Sequence, residues 1–404
     1  MKIVKTAVIT GLGCITPYGV GVDKFWQGIS TAQAGIHKHA VTGIPGLSEL
    51  PLGKVTGYRG TEHFNDKSVR LLDLATQYAL VSAREAMQDA ELSSANLDPE
   101  RAGVVLGTGC GLRETNDEVL ENFHLGRRTV PPYALAKGLF NAPCSHISIE
   151  YGIRGPCYMV TTACASSNHA IGQALQLIQT GAADIVLAGG TEAVLTPPFI
   201  QAWRSMRILD FETCRPFSRG RQGLVLGEGA GIVVVEEENH ARARGAAAYA
   251  RLSGFACTAD AQDMTRIGTL GPQAAIKQAL RSASLNPEDI DYVNAHGTGT
   301  VLNDAAETRI LKQVFGSHAH KLKISSTKSM HGHALGASAA LEFIAVVKAI
   351  KHGIIPPTLN YEAPDADCDL NYVANEARTA DVAAAISNAF AFGGLNAVVA
   401  VTRT

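Results

Sequence analysis

The sequence predicts an α/β protein made of two similar halves that share one core. Short β-rich runs alternate with helical patterns, as in folds whose sheets are covered by helices. The same features recur in the same order in both halves, and no charged or low-complexity linker separates them. Since 404 residues exceed the size of one ordinary core, two packed halves fit the length. We expect the halves to span residues 1–250 and 251–404.

The repeated features are a glycine turn, a polar segment before a helix, and a closing strand. A strand runs into the first glycine turn in "GVVLGTGCG" and into the second in "YVNAHGTGT". The polar segments are "VTTACASSNHAIG" and "ISSTKSMHGHALGASAALEFI", and the closing strands are "GEGAGIVVVEE" and "GGLNAVVAVTR". This order indicates a duplicated βα unit rather than a solenoid, whose period would be much shorter.

Hydrophobic periodicity predicts the main elements. We predict strands at residues 104–106, 184–188, 232–235 and 292–295. Apolar residues at helical spacing predict a helix after Cys164 that ends near Gly181, and a matching helix in the second half: Ile171, Ala174, Leu175, Ile178, and Leu341, Ile344, Ala345. The opening "MKIVKTAVITGLG" is typical of a first strand rather than of a secretion signal.

Composition narrows the class of function. The net charge of −2 provides no large basic field, so we expect no nucleic-acid partner. No run approaches the roughly 18 apolar residues of a membrane span, so we expect no membrane insertion. The eight cysteines show no CxxC spacing, which argues against a zinc ribbon or a disulfide scaffold and favours reduced thiols. We therefore expect a cytoplasmic protein.

Cys164 is a candidate nucleophile because it lies where a strand becomes a helix. Unpaired backbone N–H groups and the helix dipole at a helix start favour an anion and lower the pKa of a thiol. The thiolate is the nucleophilic form, so the position suits covalent catalysis. The alternative is a small, packed residue at a tight junction, which is the usual role of a free cysteine.

The second half supplies histidines and a lysine. His296 follows an apolar strand, so its ring could project into a cleft or bond to a turn. Lys328, His331 and His333 occupy the place that Cys164 occupies in the first half, and Glu342 could pair with Lys328. A metal site on the histidines lacks acidic or cysteine ligands alongside. The alternative for the Lys328–Glu342 pair is a surface ion pair worth about 0–1 kcal/mol.

Two glycine-containing segments complete the candidate features. "GLGCIT" lacks the last glycine of a dinucleotide-binding fingerprint, so it does not predict a nucleotide cofactor. "NAFAFGGLNAVVAV" carries Phe390 and Phe392 beside Gly393 and Gly394. Glycines there allow a backbone N–H to be aimed at a substrate oxygen, and the alternative is a glycine bulge entering the last strand.

Taken together, these motifs resemble the β-ketoacyl-[acyl carrier protein] synthases, in particular the elongating type of fatty-acid synthase II. The resemblance covers essentially the whole chain and includes "TACAS", "VNAHGTGT" followed by "NDAAE", "SSTKSMHGH", "LVLGEGAG" and "FAFGGLNA". It implies the thiolase fold, with two duplicated βα halves in a five-layered αβαβα sandwich, usually dimeric. It also implies acyl carrier protein as the partner, and it leads us to expect neither a metal nor a cofactor.

The resemblance assigns roles to the reactive residues. It implies that Cys164 accepts an acyl chain from acyl carrier protein as a thioester. His296 and His333 would then promote decarboxylation of the malonyl-loaded carrier protein and stabilise the enolate. Lys328, held by Glu342, would be the supporting charge. Two neutral histidines can each donate an N–H to the oxygen where enolate charge develops.

Further roles are implied around this centre. The backbone N–H groups of Cys164 and Phe392 would form the oxyanion hole, and Phe392 beside Phe390 would gate the acyl pocket. Cys110 matches a position that limits chain length, and Arg204 lies where relatives carry basic residues that meet the carrier protein. The sequence departs from the common pattern at Ala391, Leu395, His331 and Ser166-Ser167, which favours a specialised substrate such as a polyene or polyketide chain.

Three other hypotheses remain open from the sequence. The chain could act only as a heterodimer with a chain-length factor, or as a homodimer. It could be a non-catalytic chain-length partner, although such partners lack the cysteine that this chain has. It could perform thiolase-like chemistry on CoA esters, although "FAFGGLNA" lacks the second cysteine of thiolases.

Overall fold

The computed structural model describes residues 5–127, 130 and 132–404. Across these residues the strands are β1 (Ala7–Thr16), β2 (Gly19–Val20), β3 (His37–Ala40), β4 (Glu49–Leu52), β5 (Ala102–Gly107), β6 (Cys157–Val160), β7 (Ile185–Glu192), β8 (Gly229–Glu237), β9 (Ala250–Ala259), β10 (Tyr292–Asn294), β11 (Lys323–Ser325), β12 (Ile354–Ile355), β13 (Arg378–Thr379), β14 (Ala384–Ala391) and β15 (Leu395–Thr402).

The α-helices of the same part of the chain are α1 (Val22–Ser30), α2 (Asp66–Leu71), α3 (Leu74–Asp89), α4 (Arg113–His124), α5 (Ala134–Lys137), α6 (Ala142–Tyr151), α7 (Ser166–Thr180), α8 (Pro197–Ser205), α9 (Glu238–Ala243), α10 (Leu270–Ser282), α11 (Val301–Phe315), α12 (Lys328–His331) and α13 (Ser338–His352). Short 3-10 helices are found at Gly60–Glu62, Ala163–Ala165, Pro287–Asp289, Gly316–His320 and Leu335–Ala337.

The two halves form sheets of identical topology. The first sheet has the strand order β6-β5-β7-β8-β1, and the second has β11-β10-β14-β15-β9. In each, the first three strands run parallel and the last two join antiparallel. Antiparallel pairing of β1 with β9 joins the sheets. The duplication that the repeated motifs predict is therefore confirmed, and the boundary at residues 250 and 251 stays a prediction.

The sheets and helices stack in five layers. Helices α7 and α13 pack against each other and against strands of both sheets, so they form the central layer. Helices α3 and α6 cover the outer face of the first sheet, and α10 and α11 cover that of the second. This αβαβα order is the one that the resemblance implies.

The helical pattern after Cys164 explains the central layer. Ile171, Ala174, Leu175 and Ile178 are all buried on α7, which ends at Gly181 as predicted. Nearly every residue of α13 is buried, because this helix lies between two sheets and meets apolar side chains on all faces. The predicted strands coincide with β5, β7, β8 and β10 to within four residues at their ends. In the described part of the chain, no helix is long and apolar enough to cross a membrane.

Candidate active site

Cys164 lies in the 3-10 turn Ala163–Ala165, between β6 and the start of α7. The hydroxyl of Ser166 holds this turn, because it accepts from the Thr162 N–H at 2.9 Å and donates to the Ala163 carbonyl at 2.7 Å. Ala163 adopts φ +48°, a left-handed conformation that costs a non-glycine residue roughly 1–2 kcal/mol. The structure thus places the buried thiol at a strained strand-to-helix turn.

His333 is the direct neighbour of the thiol. Its Nε2 lies 3.2 Å from Cys164 Sγ, and its Nδ1 lies 2.8 Å from the hydroxyl of Ser338, the first residue of α13. The His333 N–H donates to the Val225 carbonyl at 2.7 Å, which fixes the backbone. Both ring nitrogens are therefore engaged, and the thiol and imidazole form a pair suited to proton transfer.

His296 approaches the same point from the second sheet. It follows β10 by two residues, and its ring lies perpendicular to that of His333, with 5.6 Å between the centroids. The N–H groups of His296 and Gly297 donate to the buried carboxylate of Glu307 at 2.9 and 2.8 Å. These bonds fix the backbone that carries the ring, so both histidines have defined positions.

Lys328 and Glu342 form a fully buried ion pair. Their side chains are 0% and 1% exposed, and the Lys328 ammonium donates to the Glu342 carboxylate. The alternative of a surface ion pair is therefore wrong, since both charges are excluded from water. A buried pair costs desolvation energy that a surface pair does not, which favours a functional role for the retained charge.

Burial sets the protonation states at this centre. Burial and then the Lys328 charge hold the pKa of His296 and of His333 well below the usual range, so both rings are neutral at physiological pH. Burial raises the pKa of the Cys164 thiol to about 12, against the lowering effect of Lys328. The lowered pKa that the helix start predicts is thus wrong, because desolvation of the buried thiol outweighs the lowering effects of Lys328 and of a backbone hydrogen bond.

The rings of His296, His331 and His333 do not meet at one site. The Nε2 of His331 lies 3.0 Å from Thr327 Oγ1, and its ring meets the edge of Phe25 with 5.9 Å between centroids. The His-Gly-His segment therefore directs His333 to the thiol and His331 towards α1. Within the described residues, no group of three or more His, Cys, Asp or Glu side chains could hold a metal ion.

A cavity of about 550 Å³ reaches from the thiol to the surface. Cys164, His296 and His333 line its inner end. Its walls combine apolar side chains (Trp203, Ile208, Leu224, Phe390, Phe392) with hydroxyl and amide groups (Thr265, Thr298, Thr300, Asn303) and arginines (Arg207, Arg266, Arg309). A ligand with an apolar part and a polar part fits such a lining.

Phe392 closes one side of this cavity. Its ring stacks on Trp203 of α8, with 5.8 Å between centroids and an angle of 19° between the rings. The following turn is tied to a neighbouring loop, because the Gly393 N–H donates to the Met264 carbonyl at 2.7 Å and the Gly394 carbonyl accepts from the Asp260 N–H at 2.8 Å. Movement of Phe392 would therefore break a ring stack, while its turn is held by the loop.

The two remaining predicted residues lie around this cavity. Cys110, in the turn after β5, packs against the apolar cluster that contains Cys164. Arg204 donates to the Pro45 carbonyl at 2.8 Å, whereas Arg207, just past the end of α8, lines the cavity. A limit on chain length at Cys110 and a carrier-protein contact at Arg204 stay predictions.

Sequence reasoning missed several residues that hold the centre together. Ser338 contacts the ring of His333, and Glu307 accepts from the backbone beside His296. Glu192, at the end of β7, accepts from two loops next to the thiol. The acidic segment "NDAAE" after the second glycine turn was a signal for Glu307, but spacing alone could not show which backbone groups it meets.

The sequence matches two parts of one family along most of its length. Residues 5–241 match the Beta-ketoacyl synthase, N-terminal domain, and residues 249–362 match the Beta-ketoacyl synthase, C-terminal domain. Nodulation protein E of Rhizobium sp. (strain N33) is 42% identical over 98% of each chain. 3-oxoacyl-[acyl-carrier-protein] synthase 2 of Coxiella burnetii is 38% identical over 99% of each chain.

Solved structures agree with this match. The ishigamide ketosynthase/chain length factor aligns with a TM-score of 0.94 and 33% identity over 99% of this chain and 100% of that chain. A type II PKS ketosynthase, solved with its acyl-carrier protein and bound to the hexaketide, aligns at 0.91 and 31% over the same shares. The thiolase-type fold is therefore confirmed, and this chain belongs to the β-ketoacyl synthase family.

Proposed function

We propose that this chain is an elongating 3-oxoacyl-[acyl carrier protein] synthase that extends a Cys164-bound acyl chain by two carbons from malonyl-loaded carrier protein. The observation that carries the proposal is the 3.2 Å contact between Cys164 Sγ and His333 Nε2 in a cavity that also holds His296. A nucleophile with a base beside it, and a second N–H donor nearby, is what acyl transfer followed by enolate formation needs.

The first step loads the acyl chain. The Cys164 sulfur attacks the thioester carbonyl, the bond to the carrier thiol breaks, and the Cys164 proton passes through His333 to that leaving sulfur. Because the thiol has a raised pKa, the proton transfer to His333 accompanies the attack rather than preceding it. The N–H groups of Cys164 and Phe392 would stabilise the oxyanion.

The second step forms the new carbon–carbon bond. The malonyl carboxylate leaves as CO₂, and its electron pair becomes an enolate whose oxygen accepts an N–H bond from His296. His333 donates a second N–H bond in the tautomer that carries its proton on Nε2, with Nδ1 then accepting from the Ser338 hydroxyl. The enolate carbon attacks the acyl thioester, and the Cys164 thiolate leaves. Lys328 supports both developing negative charges, and Glu342 holds its ammonium in place.

The cavity mouth supports an acidic carrier protein as the partner. Arg207, Arg266 and Arg309 line the cavity, and Val301 and Leu302 beside them are 55% and 70% exposed. Positive charge beside exposed apolar groups suits a partner with an acidic, amphipathic helix. Free thiols at all eight cysteines support a cytoplasmic location.

The experiment is acyl loading followed by condensation. Purified protein is mixed with octanoyl-loaded carrier protein, and the mass of the intact protein is measured before and after malonyl-loaded carrier protein is added. We expect an octanoyl adduct on Cys164, then a product two carbons longer. Cys164→Ala should lose the adduct, whereas Cys257→Ala, at an exposed cysteine on β9, should keep it.

The same experiment separates the alternatives. Octanoyl transfer from CoA, with no reaction from the carrier protein, would favour thiolase-like chemistry. Loading without condensation until a second, cysteine-lacking homologue is added would favour the heterodimer with a chain-length factor. An adduct that persists in Cys164→Ala would overturn the proposal.

A further inference from the structure

Glu192 is a buried carboxylate to which two loops of different halves donate. It is the last residue of β7 and is 0% exposed. From the turn after β5 it accepts the Thr108 hydroxyl at 3.1 Å and the N–H groups of Gly109 and Cys110 at 2.7 and 3.2 Å. From the second half it accepts the Gly336 N–H at 2.9 Å.

These loops carry different parts of the site. The first holds Cys110, which packs against the apolar cluster around Cys164. The second is the 3-10 turn Leu335–Ala337, which lies between His333 and the residue that contacts its ring, Ser338. The carboxylate of Glu192 therefore bonds the loop beside the acyl chain to the segment that orients the base.

The two loops that donate to Glu192 are tightly packed against each other. A Cβ placed on Gly336 would lie 2.0 Å from the Gly109 nitrogen and 2.7 Å from the Glu192 carboxylate, so the loops are in backbone contact. The Gly336 carbonyl also accepts from the hydroxyl of Ser167 on α7. One carboxylate thus joins the Cys110 loop, the His333 segment and, through Gly336, the helix that follows Cys164.

Glu192 also acts on the thiol by its charge. The Glu192 carboxylate raises the pKa of Cys164, whereas Lys328 lowers it, so the two charges oppose each other at the sulfur. Glu228 offers a comparison without this effect. Like Glu192, it is a buried glutamate whose pKa burial raises to about 7, and it accepts the Val55 N–H at 3.1 Å.

We propose that Glu192 is a positioning residue that fixes the Cys110 loop relative to the His333 segment. It thereby sets both the acyl chain length that is accepted and the reactivity of Cys164. The inference rests on the proposed function, because it takes Cys164 as the acylated residue. Glu192 itself touches no reacting atom; it acts through Cys110, Gly336 and its charge.

The test uses Glu192→Gln and Glu192→Asp in the full-length protein. The Gln variant removes the charge and turns an amide N–H₂ towards backbone donors, so it should lose bonds to at least one loop. The Asp variant keeps the charge but is one methylene too short to reach both loops. Glu228→Gln is the matched control for loss of a buried carboxylate.

Two measurements are made on each variant. The first is the distribution of product lengths from carrier proteins loaded with acyl chains of graded length. The second is the rate of alkylation of Cys164 by iodoacetamide against pH, followed on the Cys164 peptide. For Glu192→Gln we expect a changed length distribution and an alkylation curve shifted to lower pH by about one unit, because a like charge near the thiolate is removed.

For Glu192→Asp we expect the changed length distribution with little shift of the alkylation curve, and for Glu228→Gln neither change. Wild-type length selection and a wild-type alkylation curve in Glu192→Gln would overturn the inference. Should that variant not fold, an unchanged length distribution in Glu192→Asp would overturn it instead. Absence of acylation at Cys164 in the wild-type protein would overturn the proposed function rather than the role of Glu192.

Discussion

At the scale of single residues, the Lys328–Glu342 pair shows how much a buried charge depends on its partner. Both side chains are excluded from water, and burial raises the pKa of Glu342 to about 7 even beside the ammonium. Lys328 opposes this rise, so the charged form of the carboxylate near neutral pH depends on its partner. Removing one partner leaves the other as an unpaired charge in the core.

We predict that Lys328→Met lowers the free energy of unfolding by about 3–5 kcal/mol, measured by urea denaturation at pH 8. Adding Glu342→Gln should recover most of that loss, because the second charge is removed as well. The loss in Lys328→Met should be smaller at pH 6, since a carboxyl with a raised pKa in the folded state is stabilised by protonation as the pH falls. Equal stability of the single and double variants would show that the pair is not coupled.

The sequence predicts which residues form the site, but it does not predict the pKa of the thiol among them. Cys164, His296, His333, Lys328 and Glu342 stand in motifs, and the structure brings them to one point or into one pair. The raised pKa of the thiol could not be predicted, because the helix start is a local feature whereas burial depends on the whole fold.

The supporting groups could not be predicted for a related reason. Glu192 and Ser338 act through contacts between segments that are distant in sequence, 144 residues apart for Glu192 and Gly336. No pattern along the chain reveals which buried carboxylate meets which backbone N–H. Tertiary packing alone makes these contacts.

At the scale of elements, the duplication repeats a strand–turn–helix unit in detail. The 3-10 turns before α7 and α13 each begin with a non-glycine residue at positive φ, Ala163 at +48° and Leu335 at +44°. Both helices also end on a left-handed glycine, Gly181 and Gly353, at φ +75° and +64°. The motifs predicted the repeated order, and the structure extends the repeat to backbone conformation.

We predict that Gly181→Ala and Gly353→Ala each destabilise the protein by about 1 kcal/mol, because a Cβ disfavours the left-handed conformation that ends each helix. The shift in urea midpoint at constant slope measures the effect. Gly181→Asn and Gly353→Asn are the controls, since asparagine tolerates this conformation, and they should lose less stability. A loss in the asparagine variants as large as in the alanine variants would point to lack of space instead of backbone conformation.

At the scale of the whole molecule, an apolar surface and an open sheet edge lie together. The segment from α4 to α6 exposes large apolar side chains, with Phe123, Leu135 and Ile149 at 73%, 81% and 74%. Helix α6 packs beside β6, the terminal strand of the first sheet, whose outer backbone groups face no neighbouring strand within the described residues. An exposed edge next to an apolar patch is characteristic of a surface that a partner covers.

A second copy of this chain is the occupant that this surface favours. Pairing of β6 with its own copy would continue the sheet by a two-fold axis, with the same patch on both sides of the contact. The family resemblance implies a dimer, and we predict that its contact lies at this surface; a chain-length factor is the alternative occupant. Oligomeric state in solution distinguishes the two.

We predict that the wild-type protein sediments as a dimer and that Leu135→Asp with Ile149→Asp shifts it to a monomer, because each change would bury an unpaired carboxylate in the contact. Leu270→Asp, at an apolar side chain of α10 that is 71% exposed and away from this surface, is the matched control and should stay dimeric. A wild-type monomer that dimerises only with a cysteine-lacking homologue would instead identify a heterodimer. A dimer that survives both substitutions would place the contact elsewhere, and the exposed edge of β6 would then need another partner.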